Sequence, residues 1–292
     1  MLSTFTTTQK GILYALIGFS AFVISDSCAK WLTPHYPVLQ IIGWTYFFSL
    51  IVGVALSPFM GGLKATFRTK KMQVHLWRSL FNVGLAVSVV IAFAHLPITT
   101  VYPVLFLAPF LITIAAIPIY KETVSPISWL IILLGFTGVL IALRPWTGEI
   151  SVWVLFAFFT TFCITGISLL ARAMGKDETL LSFSFYPNIV NTVLLFPYSL
   201  MAYPLPHIEH LPVFVLAGFM LTCGISGVAC AFLNARYAAV SPLHYSQLAL
   251  AFLIGYFVFD ERPDMWMIGG AGLIVISGIM LVCASPNNQD AS

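Results

Sequence analysis

The strongest constraint on this chain is a succession of apolar stretches, each close to the length of a bilayer crossing. A membrane helix needs about 20 apolar residues. Ten such stretches can be read near 10–32, 37–57, 73–96, 98–120, 126–144, 150–172, 180–201, 211–236, 241–259 and 264–284. Breakers separate them: Pro34 with Pro37, Pro58 with Gly61 and Gly62, Pro97, Pro126, Pro145, Pro204 with Pro206, Pro242 and Pro263. Composition agrees, because 60% of the 292 residues are apolar and only 8% are charged. An ordinary soluble domain carries about 25% charged residues. The chain therefore reads as an all-α polytopic membrane protein of ten transmembrane helices, with the lipid bilayer as its principal partner. Little chain is left over, which excludes a sizeable soluble domain, an intrinsically disordered protein and a disulfide-rich scaffold. A net charge of +3 is too small a bias for nucleic-acid binding. Cys28, Cys163, Cys223, Cys230 and Cys283 form no C-x-x-C pair and read as small apolar residues.

The first stretch reads as a spanning helix and not as a cleaved leader. It is long, lacks a small-x-small cleavage site, and is followed at once by another span. Ser25-Asp26-Ser27-Cys28 resembles a lipoprotein cleavage site only faintly, since Asp26 stands where a small or apolar residue is needed. Orientation follows from the Lys and Arg residues in the short loops. With both termini cytoplasmic, ten of the thirteen fall inside: Lys10, Lys64, Arg68, Lys70, Lys71, Arg78, Lys121, Arg172, Lys176 and Arg236. Lys30, Arg144 and Arg262 then fall outside.

The two halves of the chain resemble each other. A shift of 139 residues places Pro103 on Pro242, and Tyr120-Lys121-Glu122 on Phe259-Asp260-Glu261. After a two-residue deletion Trp129 falls on Trp266 and Gly135 on Gly272. A shift of 142 places Ala15 on Ala157 and Ala29-Lys30 on Ala171-Arg172. Five spans per half is an odd number, so the halves enter the membrane from opposite sides, with Glu122 cytoplasmic and Glu261 outside. Inverted repeats expose one central site alternately to either face, which points to a transporter. The expected units are repeat 1 over 10–144, repeat 2 over 150–284 and a cytoplasmic tail over 285–292.

On these residues the chain resembles the drug/metabolite transporter superfamily, specifically its ten-helix branch built from EamA-type units. The resemblance rests on the aromatic-x-Glu ends of the fourth and ninth spans, on Leu107-Ala108-Pro109-Phe110, and on the Gly-rich fifth and tenth spans. Leu248-Ala249 replaces the Ala-Pro of that motif in the second half, so its proline is missing there. The overall likeness is nearest to bacterial amino-acid exporters, including those for aromatic amino acids. The resemblance implies a bacterial inner-membrane exporter working by alternating access. Spans 1, 3, 4, 6, 8 and 9 would surround the cavity, 5 and 10 would flank it, and 7 would be peripheral. Uptake of a vitamin or cofactor such as riboflavin is the alternative. The protein would act as a monomer, with a homodimer as the other option. No nucleotide-binding, metal or cofactor motif stands out, and scarce intramembrane charge favours a neutral, zwitterionic or amphipathic small-molecule substrate over a polyanion.

Candidate substrate contacts are polar or aromatic residues inside spans, where each ionisable group is costly. Asp26 is the acid well inside a span, and Lys30 follows at i+4. A structural ion pair between them is the simpler reading, and a substrate or proton contact is the functional one. His244 with Gln247, Asn82, and Asn234 are either interhelical hydrogen-bonding groups or ligands. Asn188 and Asn191 read as structural. Tyr102, Phe106 and Phe110 on the fourth span, and Tyr245 on the ninth, are candidates for lining an apolar pocket for a flat group, although packing is the commoner role. Pro103, Pro109 and Pro242 are candidate hinges. Cys223, Gly227, Ala231, Ala235 and Ala239 form a ridge of small residues that permits close helix approach or leaves room for substrate. Trp31, Trp44, Trp146 and Trp153 read as interfacial anchors. Gly224-Ile225-Ser226-Gly227 also matches the nucleophile motif of rhomboid-type intramembrane serine proteases, with His244 as its candidate base. That remote reading requires Ser226 and His244 to meet.

Overall fold

The computed structural model describes residues 7–121, 124–147, 151–174, 178–235 and 240–284. Glu122, Lys176, Arg236, Ala239 and the tail over 285–292 lie outside the described residues. The first half contains α1 (Thr7–Leu32), α2 (Val38–Ala55), the single turn α3 (Leu63–Thr66), α4 (Met72–His95), α5 (Ile98–Leu105), α6 (Ala108–Tyr120) and α7 (Pro126–Leu143). The second contains α8 (Val154–Met174), α9 (Ser182–Ala202), α10 (Leu211–Asn234), α11 (Ser246–Phe259) and α12 (Met265–Ala284). A 3-10 segment, Ser241–Tyr245, leads into α11. Counting α5 with α6 as one crossing, and this segment with α11 as another, gives ten spans. Their ends match the sequence expectation within a few residues.

Local chemistry accounts for the boundaries. Proline opens α7 at Pro126, where its missing N–H is not needed, and Ser125 caps the same helix by accepting from Ser128 N at 3.2 Å. Several hydroxyls inside spans bond back to the carbonyl one turn earlier, as Ser27 does to Val23 O at 2.7 Å. The fourth crossing departs from the expected single helix. It breaks at Phe106-Leu107 because Pro109 has no N–H for the carbonyl of Leu105, and Leu107 N turns back to Val104 O at 3.0 Å.

Among the described residues, seven helical stretches are long and apolar enough to span a membrane by themselves. Span 7, α9, is different, because Ser182, Ser184, Asn188, Asn191 and Thr192 are buried along it. Elsewhere on the same helix Val193, Leu194, Tyr198 and Met201 are exposed. Asn188 Nδ2 donates to Ser49 Oγ at 2.8 Å, Ser49 Oγ meets Thr222 Oγ1 at 2.8 Å, and Asn191 Nδ2 donates to Asn82 Oδ1 at 2.9 Å. These bonds tie α9 to α2, α10 and α4.

Helix pairing follows small residues, as expected where lipid supplies no hydrophobic drive between helices. α1 packs along α10, α4 along α8, α2 along α9 and α7 along α12. At the α1–α10 crossing a methyl added to Gly18 would lie 2.7 Å from Val228 N, and one added to Gly227 would lie 2.8 Å from Gly18 Cα. A methyl on Gly11 would lie 2.4 Å from Ala235 Cβ. The ridge therefore serves close approach, with Gly227, Ala231 and Ala235 turned to α1. Gly138 and Gly270 make the equivalent contact between α7 and α12. The packing pattern is unchanged when the first five spans are exchanged with the last five. α1–α10 becomes α8–α4, α2–α10 becomes α9–α4, and the remaining principal pairs map onto themselves. Two backbone details follow the same exchange. Lys121 ends α6 with φ 55° and Asp260 ends α11 with φ 49°, both in the left-handed region.

Contacts sort the connections into two faces. On one face Tyr36 Oη bonds His210 Nδ1 at 2.8 Å, Gln40 Nε2 donates to Pro204 O at 2.7 Å, and Arg144 pairs with Asp264. On the other, Thr69 Oγ1 donates to Glu178 Oε1 at 2.6 Å, His75 Nε2 lies 3.1 Å from Glu178 Oε2, and Lys71 Nζ donates to Met174 O at 2.6 Å. Burial opposes ionisation of Glu178, but the hydrogen bonds from Thr69 and His75 outweigh it and hold the carboxyl below its ordinary value of 4.5.

Three outcomes are expected. Gly18→Val destabilises the fold by about 1–3 kcal/mol through overpacking, read as a lower Tm in detergent. Gly272→Ala, where an added methyl meets nothing within 4 Å, leaves Tm unchanged. Because the folded-state pKa of Glu178 is depressed, its contribution is present above 4.5 and is lost as pH falls through the folded value. Glu178→Gln should therefore lower Tm at neutral pH and lose that difference in acid, measured by thermal unfolding across pH 3–7.

Candidate functional site

α1 has two working faces. Gly11, Gly18, Phe22 and Ser25 turn to α10, with Ser25 Oγ donating to Ala217 O at 3.0 Å and Phe22 filling the space over Gly224. A quarter turn away, Phe19, Asp26 and Lys30 recur at i, i+7 and i+11 and face α5 and α11. Close packing on the first face is what aims the second.

Asp26 accepts a hydrogen bond from Tyr102 Oη at 2.8 Å. Tyr102 and Phe106 are almost completely buried, at 1% and 2% exposure. His244 lies between two rings, with its centroid 4.9 Å from Phe19 and 4.9 Å from Phe106. Phe106 also meets Tyr245 at 5.2 Å. Tyr46 of α2, which sequence reasoning missed, is buried, interacts with Asn82 and lies near Asp26. Asp26 and His244 stand deep within the bundle on every side, yet each keeps some accessible surface. The site has one carboxylate, an imidazole and a set of rings, suited to a small group that is flat, cationic or both.

The expected Asp26–Lys30 ion pair is corrected. Lys30 Nζ instead pairs with Glu261 Oε1 at 3.2 Å and donates to Leu96 O at 2.6 Å. Among the described residues Asp26 forms no ion pair. Glu261 in turn accepts from Ile98 N at 2.7 Å, Thr99 N at 2.9 Å and Thr99 Oγ1 at 2.7 Å. It thereby caps α5, whose start, Pro97, offers no side-chain acceptor.

The other sequence candidates divide. Asn82 is held by Asn191, next to Tyr46. Asn234 bonds back to Cys230 O at 2.8 Å near the end of α10, away from the ring cluster. Phe110 does not join the cluster, because its ring fills the space over Gly135 of α7. His244 and Gln247 do not share one face of a continuous helix, since His244 and Tyr245 belong to the 3-10 segment and Gln247 to α11. Gln247 is buried at 8% exposure. Pro103 sits inside α5 and Pro109 in the first turn of α6, on either side of the break. The backbone of Pro242 lies in the 3-10 segment. Ser226 Oγ contacts Met60 Sδ at 3.7 Å while His244 is enclosed by rings, so the serine and its candidate base keep separate company. Trp44, expected as an interfacial anchor, is part of an aromatic cluster. It packs among Phe47, Phe48, Phe196 and Phe214.

The signal for Phe19 was available in its seven-residue spacing from Asp26. Tyr46 carried no comparable signal, because its role depends on how α2 meets α4.

Two grooves lie apart from this cluster or at its edge. One, of about 570 Å³, runs along the outer face of α10 between Ile208 and Phe219 and is lined by apolar residues. The other, of about 420 Å³, lies between α11 and α12 and reaches Tyr245. The polar cluster, and not either groove, holds the buried carboxylate, so it is taken as the site.

The model of the EamA-like transporter family matches residues 9–144. The chain is 23% identical over 285 residues to the S-adenosylmethionine uptake transporter of Rickettsia prowazekii, covering 98% of this chain and 96% of that one. It is 26% identical over 282 residues to the riboflavin transporter of Rhizobium johnstonii, covering 93% and 90%. A solved crystal structure superposes with a TM-score of 0.67 over 92% of this chain and 96% of that one, at 17% identity, and shares the fold. The first half of the chain is thus similar to the EamA-like transporter family, and nearly its whole length is similar to named bacterial transporters.

Proposed function

We propose that this chain is a secondary transporter of the bacterial inner membrane for a small metabolite carrying a flat ring and a positive charge. S-adenosylmethionine is the first substrate to test. The single observation that carries the reading is Asp26, a carboxylate in the middle of the bundle with a tyrosine donor, no cation partner among the described residues, and aromatic rings close by. A sulfonium or ammonium group supplies the missing charge, and rings that would flank it attract a cation by about 0.5–2 kcal/mol each. The naming of relatives for S-adenosylmethionine and riboflavin supports a ring-bearing substrate. An amino acid also offers an ammonium to Asp26. The resemblance to exporters of aromatic amino acids therefore makes them the second arm of the test.

The mechanism is alternating access about two inverted five-helix repeats, 10–144 and 150–284. The packing pattern that survives exchange of the halves supports this. So do the matched left-handed residues Lys121 and Asp260. In this reading both termini are cytoplasmic, which the bias of the loop cations supports. The break at Phe106-Leu107 is the hinge on which α5 and α6 tilt separately. Asp26, Asn82, Tyr102, Phe106, His244, Tyr245 and Gln247 form the substrate set, whereas Asn234 is left to helix packing.

In proteoliposomes, labelled S-adenosylmethionine should exchange against unlabelled compound, with riboflavin and aromatic amino acids as competitors. Asp26→Asn should abolish exchange of the cationic substrate while leaving the protein folded and monodisperse. Unchanged exchange would remove Asp26 from the site. Exchange of riboflavin alone would transfer the assignment to a neutral flavin. Pro109→Ala, which restores the N–H facing Leu105 O, should slow turnover while substrate affinity stays constant. Equal turnover would discard the hinge.

A further inference from the structure

The same pairing of a cation with an aromatic ring closes the bundle on both faces, and each pairing joins one half of the chain to the other. On one face Lys30 of α1 lies over the ring of Phe259, the last residue of α11, at 5.3 Å. On the opposite face Arg172 of α8 lies over the ring of Tyr120, the last residue of α6, at 4.4 Å, and Tyr120 Oη donates to Leu169 O at 2.7 Å. The sequence shifts of 142 and 139 carry Lys30 to Arg172 and Tyr120 to Phe259. The two contacts are thus one device built twice.

We infer that these contacts are paired latches of the transport cycle: Lys30 with Phe259 and Glu261 shuts one entrance, Arg172 with Tyr120 shuts the other, and the two release alternately. The inference rests on the alternating-access reading above, and it adds the residues that hold each entrance closed. Their placement favours this role over simple packing. Each cation is on a helix that faces the central cluster, and each ring ends a helix of the broken crossings. Separating either pair would therefore open a path between helices of opposite halves. Lys30 lies on the same face of α1 as Asp26 and Phe19, so release of Lys30 would uncover the carboxylate from that side. The latch at Lys30 is the more elaborate, since Glu261 also holds Ile98 and Thr99 at the start of α5.

The test uses full-length protein with its five native cysteines replaced by alanine and one cysteine introduced by Val23→Cys. Val23 is fully buried and shares the Phe19–Asp26–Lys30 face of α1. A membrane-impermeant methanethiosulfonate is applied to vesicles of each sidedness. Phe259→Leu removes a ring while keeping Glu261 as cap. It should speed labelling from the Lys30 face by about three-fold or more, the range a partly desolvated cation–π contact supplies. Tyr120→Leu should slow labelling from that face and speed it from the Arg172 face. Glu261→Gln should act as Phe259→Leu does, more strongly. Unchanged rates, or both ring variants moving the rate in the same direction, would overturn the latches, and general loosening that raises labelling from both faces would do the same. Counterflow on the same preparations separates this inference from the one it rests on. Labelling that responds while no compound is carried removes the transport reading, whereas transport with unresponsive labelling removes the latches.

Discussion

The backbone contact between α1 and α10 at Gly18 and Gly227 is the constraint on which the remaining architecture depends. Inside a bilayer, helices gain little by hiding apolar side chains from one another, so association relies on close contact and hydrogen bonding. With no side chain between them, α1 and α10 meet along most of their length. That contact fixes the rotation of α1 about its axis, and the rotation sets which residues point inward. Phe19, Asp26 and Lys30 reach the α5–α11 side only because Gly18 and Ser25 are committed to α10.

The polar residues of α9 perform a related task by other means. Amide side chains in a nonpolar surrounding seek partners, and Asn188 and Asn191 find them on Ser49 and Asn82. Such directional bonds define how α9 sits on α2 and α4 where shape alone would allow sliding. The result is a scaffold on both sides of the site that is specified by contact at α10 and by hydrogen bonds at α9.

Most of the architecture was legible in the sequence, because span length is set by bilayer thickness and reads directly from hydrophobic runs. The shift that carries Pro103 onto Pro242 and aligns the aromatic-x-Glu ends also carries the left-handed residue Lys121 onto Asp260. Partner choice was not legible. Lys30 stands one turn from Asp26 in sequence, yet it reaches across to Glu261, since carbonyl and carboxylate acceptors converge at the start of α5 and Tyr102 already serves Asp26. Nor did spacing distinguish Phe106 from Phe110. The break at Leu107 turns them in different directions, one toward His244 and the other over Gly135, and its exact place depends on packing as well as on Pro109.

The cap that Glu261 places on α5 has a mechanical side. α5 has only eight residues, fewer than an isolated helix needs to persist. Its stiffness is therefore borrowed from the carboxylate at one end and the packed rings at the other. At about 1.5 Å per residue it forms a rod roughly 12 Å long, with Thr99 near one tip and Phe106 just beyond the other. A displacement of the 260–262 loop would be carried along that rod to the ring beside His244 with little lost to bending. The membrane surface and the bundle centre are in this way connected by a short lever.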